Sequence, residues 1–234
     1  MKREKLKKNL CMLLILITGM NLKVVAQEVS VGADLVSSYI WRGQQLGSVS
    51  IQPNLGIAYK GFSFGAWASS DLTKMDLELD FSVGYTVGGF SAVITDYWFN
   101  YTASPQYFNY QKDKNTAHTF EAGVSYNFGE SFPLTLSWYT NFAGADNWGY
   151  GHSQDYSSYV EASYGFMLWN TDMSVELGLT PWEGAYSDGF DVVNIGVGGS
   201  REIPLSDTFA LPLFAKVTFN PAANRAYMSF GLTF

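Results

Sequence analysis

Apolar and polar residues alternate one for one along most of the chain after residue 27. In the stretch 75–87, Met75, Leu77, Leu79, Phe81, Val83, Tyr85 and Val87 alternate with Asp76, Glu78, Asp80, Ser82, Gly84 and Thr86. Successive side chains of a β-strand point to opposite faces, so this pattern predicts a strand with one apolar and one polar side. The same period recurs where Val29, Val31, Ala33 and Leu35 oppose Asp34 and Ser38, and where Phe120, Ala122, Val124 and Tyr126 oppose Glu121, Gly123 and Ser125. Helical periodicity is missing, and nothing after residue 27 is apolar for long enough to form a membrane helix.

Counting such stretches predicts about 12 strands, over 28–42, 50–60, 62–69, 74–87, 90–101, 118–128, 133–143, 156–166, 171–180, 190–200, 208–219 and 225–234. The connections alternate in length. Short ones fall at Lys60-Gly61, Gly88-Gly89, 129–132, 167–170 and 201–207, while 102–117, 144–155 and 181–189 are longer. That is the pattern of an all-β, antiparallel, up-and-down transmembrane β-barrel with both termini periplasmic, tight periplasmic turns and longer external loops. A soluble β-sandwich also alternates. Against it, the polar faces carry Gly, Ser, Thr, Asn and carboxylates in place of the lysines of a soluble strand, and aromatics gather near strand ends. Closure is required in a membrane, because an open strand edge would leave backbone N–H and C=O groups unsatisfied in hydrocarbon.

Residues 1–26 read differently. Lys2, Arg3, Lys5, Lys7 and Lys8 precede the apolar run Leu10 to Thr18, and Val24 and Ala26 are small residues where a signal peptidase would cut. The segment is expected to be a secretory leader cleaved before Gln27, leaving one domain, 27–234. Six of the 14 Lys and Arg but only Glu4 of the 21 acids lie in it, so the mature chain has 8 bases against 20 acids and a net charge of −12. Such acidity excludes nucleic acid as an electrostatic partner. Cys11, the only cysteine, leaves with the leader, which excludes disulfides, thiol nucleophiles and Cys-based metal sites. No cofactor is implied: phosphate-binding Gly loops and Cys/His metal spacings are absent.

Several segments together resemble the TorF family of porin-like proteins. They are Ser37-Ser38-Tyr39-Ile40-Trp41-Arg42-Gly43-Gln44, Ile51-Gln52-Pro53-Asn54-Leu55-Gly56, Gly61-Phe62-Ser63-Phe64-Gly65-Ala66-Trp67-Ala68-Ser69, Leu77-Glu78-Leu79-Asp80 and Val83-Gly84-Tyr85. The resemblance implies a bacterial outer-membrane barrel with a transport role, and carries over no catalytic residue or substrate. The last strand places Met228, Phe230, Leu232 and Phe234 on one face. Its terminal aromatic is similar to the assembly signal of outer-membrane barrels, which implies the barrel-assembly machinery and outer-membrane lipid as partners.

Function then rests on the lumen. The parity expected for the strands points the acids Asp34, Asp76, Glu78, Asp80, Asp96, Glu121, Glu161, Asp172 and Glu176 inward, with the bases Arg42, Lys60, Lys216 and Arg225. Apart from Asp34, the acids lie on the fourth to ninth strands and the bases on the first, second, eleventh and twelfth. An acidic arc facing a basic arc predicts a small porin for passive diffusion of small polar solutes, preferring cations. The alternative is a plugged structural or adhesive barrel whose charges pair across a narrow interior.

An enzyme is the less favoured reading. His118 and His152 are the only histidines, neither has a spaced nucleophile, and both read as solvated loop residues. Asp76, Glu78 and Asp80 are spaced about 6–7 Å apart along a strand, too far to encircle a Ca²⁺ without other ligands. Tyr101, Tyr107, Phe108, Tyr110, Trp148, Tyr150 and Tyr156 read first as interfacial anchors and second as a stacking surface for a sugar.

Overall fold

The computed structural model describes residues 28–111, 115–148, 154–206 and 209–234; the expected leader, Tyr150 and His152 lie outside them. It contains β1 (Glu28–Val36), β2 (Tyr39–Trp41), β3 (Gln44–Gly47), β4 (Ser50–Tyr59), β5 (Phe62–Asp71), β6 (Leu77–Val87), β7 (Phe90–Phe99), β8 (His118–Asn127), β9 (Leu134–Gly144), β10 (Ser158–Leu168), β11 (Thr171–Thr180), β12 (Asp191–Ser206), β13 (Phe209–Asn220) and β14 (Arg225–Thr233). All except β2 and β3 form a closed antiparallel barrel of twelve strands, each paired with its neighbours in the chain. Closure is made at Asp34, which stands opposite Gln52 of β4 and Thr233 of β14.

Two strands differ from their expected extents. The first leaves the wall at Val36, and residues up to Gly47 form a separate hairpin, β2–β3. The tenth, β12, continues to Ser206 through the segment expected to be a turn. There the polar run Arg201-Glu202 and Pro204 suggest a break, but Arg201 and Glu202 still pair with Leu213 and Pro212, and the proline is absorbed by a register shift between Pro204 and Ser206.

The wall is apolar outside and polar inside, the reverse of a soluble domain. Val31 is 78% exposed and Met228 63% exposed on the outer face. Among the described residues, the buried set comprises five apolar residues against eighteen polar or charged ones, so the centre is no hydrophobic core. The five turns on the side of the termini are short. The opposite side, the loop end, carries the hairpin and the connections 72–76, 100–117, 145–157, 181–190 and 221–224.

Candidate functional site

The β2–β3 hairpin folds into the barrel and reaches its far wall. The chain bends inward at two serines. Ser37 N donates to Phe230 O (2.9 Å), Phe230 N donates to Ser37 Oγ (3.0 Å), and Ser229 Oγ donates to Ser38 O (2.6 Å), which ties the departure point to β14. Trp41 pairs with Gln44 across a two-residue turn in which Arg42 and Gly43 have φ of 48° and 79°. Positive φ at both positions is the turn whose twist matches a tight hairpin. The returning segment is held by Asp71, whose Oδ2 accepts from Ser48 N (2.8 Å) while Oδ1 accepts from Thr73 N (2.7 Å) and Lys74 N (3.0 Å).

The tip is locked on the other side of the lumen. Arg42 donates from Nη1 to Glu121 Oε2 (2.5 Å) and from Nη2 to Glu121 Oε1 (3.0 Å), a bidentate pair with a residue of β8. Nη1 also donates to the Tyr186 hydroxyl (2.6 Å), and Tyr97 donates to Glu121 Oε1 (2.9 Å). Burial pushes the Tyr186 hydroxyl up to about 12, against the pull of the Arg42 guanidinium, so it faces Arg42 as a neutral acceptor. The guanidinium carbon lies 4.2 Å from the ring centroids of Trp41 and Tyr139 and 4.8 Å from that of Tyr159. A cation removed from water is thus compensated by a carboxylate and ring faces together. Gly43 abuts β12 so closely that a Cβ would sit 1.8 Å from Val193 O, and its own carbonyl accepts from Asn220 Nδ2 (3.0 Å).

This strut divides the interior. A recess of 530 Å³ on the side of the termini is lined by Asn54, Trp67, Asp80, Ser82 and Thr95. A recess of 610 Å³ at the loop end is lined by Phe99, Tyr101, Asn147, Trp148 and Tyr186. Both share Trp41 and Tyr97, whose rings are 5.6 Å apart and form the partition between them.

The residues singled out from the sequence fall into distinct places. Glu78, Asp80, Glu121, Glu161 and Glu176 face the interior. Tyr159 donates to Glu161 (2.5 Å), and Lys216 of β13 donates to Glu176 (2.5 Å). Asp34 and Asp80 are also inside, each with a buried carboxylate oxygen, Oδ1, that has no hydrogen-bond partner. Asp76 ends the 72–76 connection, Arg225 is exposed opposite Asn220 at the loop-end rim, and Lys60 is exposed in the β4–β5 turn. Asp172 lies opposite Ser200 near the termini.

Three expectations need correction. Arg42 is no wall residue of the first strand; it stands at the hairpin tip, among the acids it was expected to oppose. Arg42 pairs with Glu121 and Lys216 with Glu176, so the acidic and basic arcs are partly joined by ion pairs. Asp96 points outward: it pairs laterally with Phe81 and Phe120, and the inward residue of that register is Tyr97, opposite Asp80.

His118, expected in solvent, is fully buried on the same outer face. Its Nδ1 lies 2.7 Å from Asp96 Oδ1, its Nε2 donates to Tyr107 O (2.5 Å), and Tyr110 stacks on it at 4.3 Å. The loop after β7 therefore folds down over the outside of the barrel and covers a polar pair there. Among the described residues no group of three or more His, Cys, Asp or Glu side chains is placed to hold a metal ion, Asp76, Glu78 and Asp80 included.

The alternation assigned no role to Trp41, Gln44, Trp67, Tyr97, Tyr139, Tyr159 or Tyr186, although Trp41, Gln44 and Trp67 lie in the segments that carry the family resemblance. One signal did point to the hairpin: the first alternating stretch ran over 28–42, longer than the roughly 9–11 residues a barrel strand needs.

No family model and no curated protein matches the chain. Among solved structures it is similar to an outer membrane channel from Pseudomonas putida F1, with a TM-score of 0.43 and 15% identity over 92% of this chain and 97% of that one.

Proposed function

We propose that the protein is an outer-membrane diffusion channel for small polar solutes, with a cation preference, whose lumen is narrowed by the β2–β3 hairpin. The termini and short turns face the periplasm and the loop end faces outward. The apolar outer wall suits a lipid surround, and the resemblance to TorF proteins points the same way. The expected leader, 1–26, would direct export, and the C-terminal strand ending in Phe234 would engage the assembly machinery. His118 is assigned no catalytic role, because its Nε2 donates to the Tyr107 carbonyl.

The observation that carries this reading is the polar interior with its recesses on either side of Trp41 and Tyr97. Cation preference rests on the surplus of interior carboxyl groups: Arg42 and Lys216 are each paired with an acid, while Asp34, Glu78, Asp80 and Glu161 have no ion-pair partner among the described residues. Purified protein in a planar bilayer with a KCl gradient tests both parts. Stepwise currents with a reversal potential displaced toward that of K⁺ are expected; the absence of steps contradicts the channel, and displacement toward Cl⁻ contradicts the preference.

A second reading is favoured by the wall-to-wall span of the hairpin: a barrel sealed by Arg42 that serves a structural role. It requires that wild-type protein give no steps and that freeing the hairpin be needed for any current.

A further inference from the structure

We infer that the loop-end recess is a binding site for a neutral saccharide. It rests on the proposed function only in taking the loop end as the outside of the cell, since occupancy of the recess does not require passage through the barrel.

The 610 Å³ of this recess fall within the range of small-molecule sites. Its chemistry differs from that of the lumen below. The barrel interior is rich in carboxylates, yet no described residue lining this recess is charged. Rings of Trp41, Tyr97, Phe99, Tyr101, Trp148 and Tyr186 line it instead, and Trp148 is 68% exposed. Between the rings stand amides. Asn147 Nδ2 is buried and has no acceptor. Gln44 Nε2 donates to Ala185 O (2.8 Å), which leaves its carbonyl oxygen to receive a donor.

An ion would find no countercharge among the described lining residues, and a purely apolar ligand would offer the open Gln44 oxygen no donor. A sugar meets both demands. The flat face of a pyranose presents C–H bonds to an aromatic ring, and its hydroxyls both donate and accept, matching the open amide oxygen of Gln44 and, once the enclosed side chain turns toward the recess, the orphan amide N–H of Asn147. The Trp41–Tyr97 partition forms the floor, so a bound sugar stands directly over the hairpin strut.

The test is titration of full-length protein in detergent micelles with maltotriose, cellotriose and N-acetylchitotriose. Tryptophan emission is followed, with calorimetry as a second readout because substitution of Trp148 removes a reporter. Saturable binding of at least one saccharide is expected. It should weaken at least tenfold in Asn147→Ala and Trp148→Ala and be unchanged in Trp169→Ala, which alters an exposed tryptophan in the β10–β11 turn at the opposite end. Absence of binding of all three to wild-type protein, or equal binding by the variants, overturns the assignment. Saccharide binding by a protein that gives no current contradicts the channel and leaves the site; current without binding contradicts the site alone.

Discussion

The guanidinium of Arg42 forms a bidentate ion pair with the carboxylate of Glu121 at 2.5 and 3.0 Å, and through it a hairpin rooted between β1 and β4 is fastened to β8 across the lumen. The side chains are only 8% and 3% exposed, so neither charge can fall back on water if the other is removed. Breaking such a pair from one side costs about 3–5 kcal/mol. Arg42→Ala is therefore expected to unseat the tip and to enlarge single-channel steps, with Glu121→Gln acting in the same direction. The double variant should lose less stability than the sum of the two singles, measured by denaturant unfolding in micelles. Additive losses contradict the pairing.

Gly43 gives an independent handle on the same strut. Alanine there would face both a φ of 79° and a backbone oxygen 1.8 Å from the new Cβ. The conformational penalty alone is about 1 kcal/mol, and the close approach adds to it. Gly43→Ala should reproduce the enlarged steps of Arg42→Ala although the ion-pairing groups are intact. Steps of wild-type size in that variant would show that the tip does not need its seat on β12.

Selectivity should depend on Glu78 and Asp80, which face the lumen from β6 opposite Ser69 and Trp67. Glu78→Gln with Asp80→Asn replaces two ionisable carboxyl groups by amides while keeping the shapes of the side chains. The reversal potential in a KCl gradient is expected to fall toward zero, with little change in step size. An unaltered reversal potential assigns the preference to other acids.

On the outside of the barrel, His118 links Asp96 to the carbonyl of Tyr107 and so holds down the loop that follows β7. His118→Ala leaves Asp96 beneath the loop without its partner, and the loss is expected to be about 1–3 kcal/mol. The loop should become faster to cleave in limited proteolysis while the barrel strands stay protected. Asp96→Asn, whose amide can still hydrogen-bond His118 Nδ1, should cleave close to the wild-type rate. Equal rates in all three proteins contradict the anchoring role.

The twelve wall strands were legible in the sequence because period two is imposed by the wall itself: every second residue meets the exterior. The hairpin was not, because Tyr39 and Trp41 continue the same alternation after the chain has left the wall; only the excess length of that stretch and the Arg42-Gly43 turn marked the departure. Asp96 and His118 break the outward apolar pattern, and they are tolerated there because they satisfy each other under Tyr107 and Tyr110. A pairing between residues 22 positions apart, covered by a loop, has no period to betray it. Glu121 and Arg42 were both picked out as lumen charges, but not as partners, since the path of Arg42 across the barrel depends on a turn rather than on strand parity.

The claim that the hairpin sets the width of the channel is tested most directly by replacing residues 39–47 with a short Gly-Ser turn and recording single-channel conductance beside the wild-type protein. Smaller steps from wild type and severalfold larger steps from the replacement are the predicted result. Steps of equal size in the two proteins, or none in either, would contradict it.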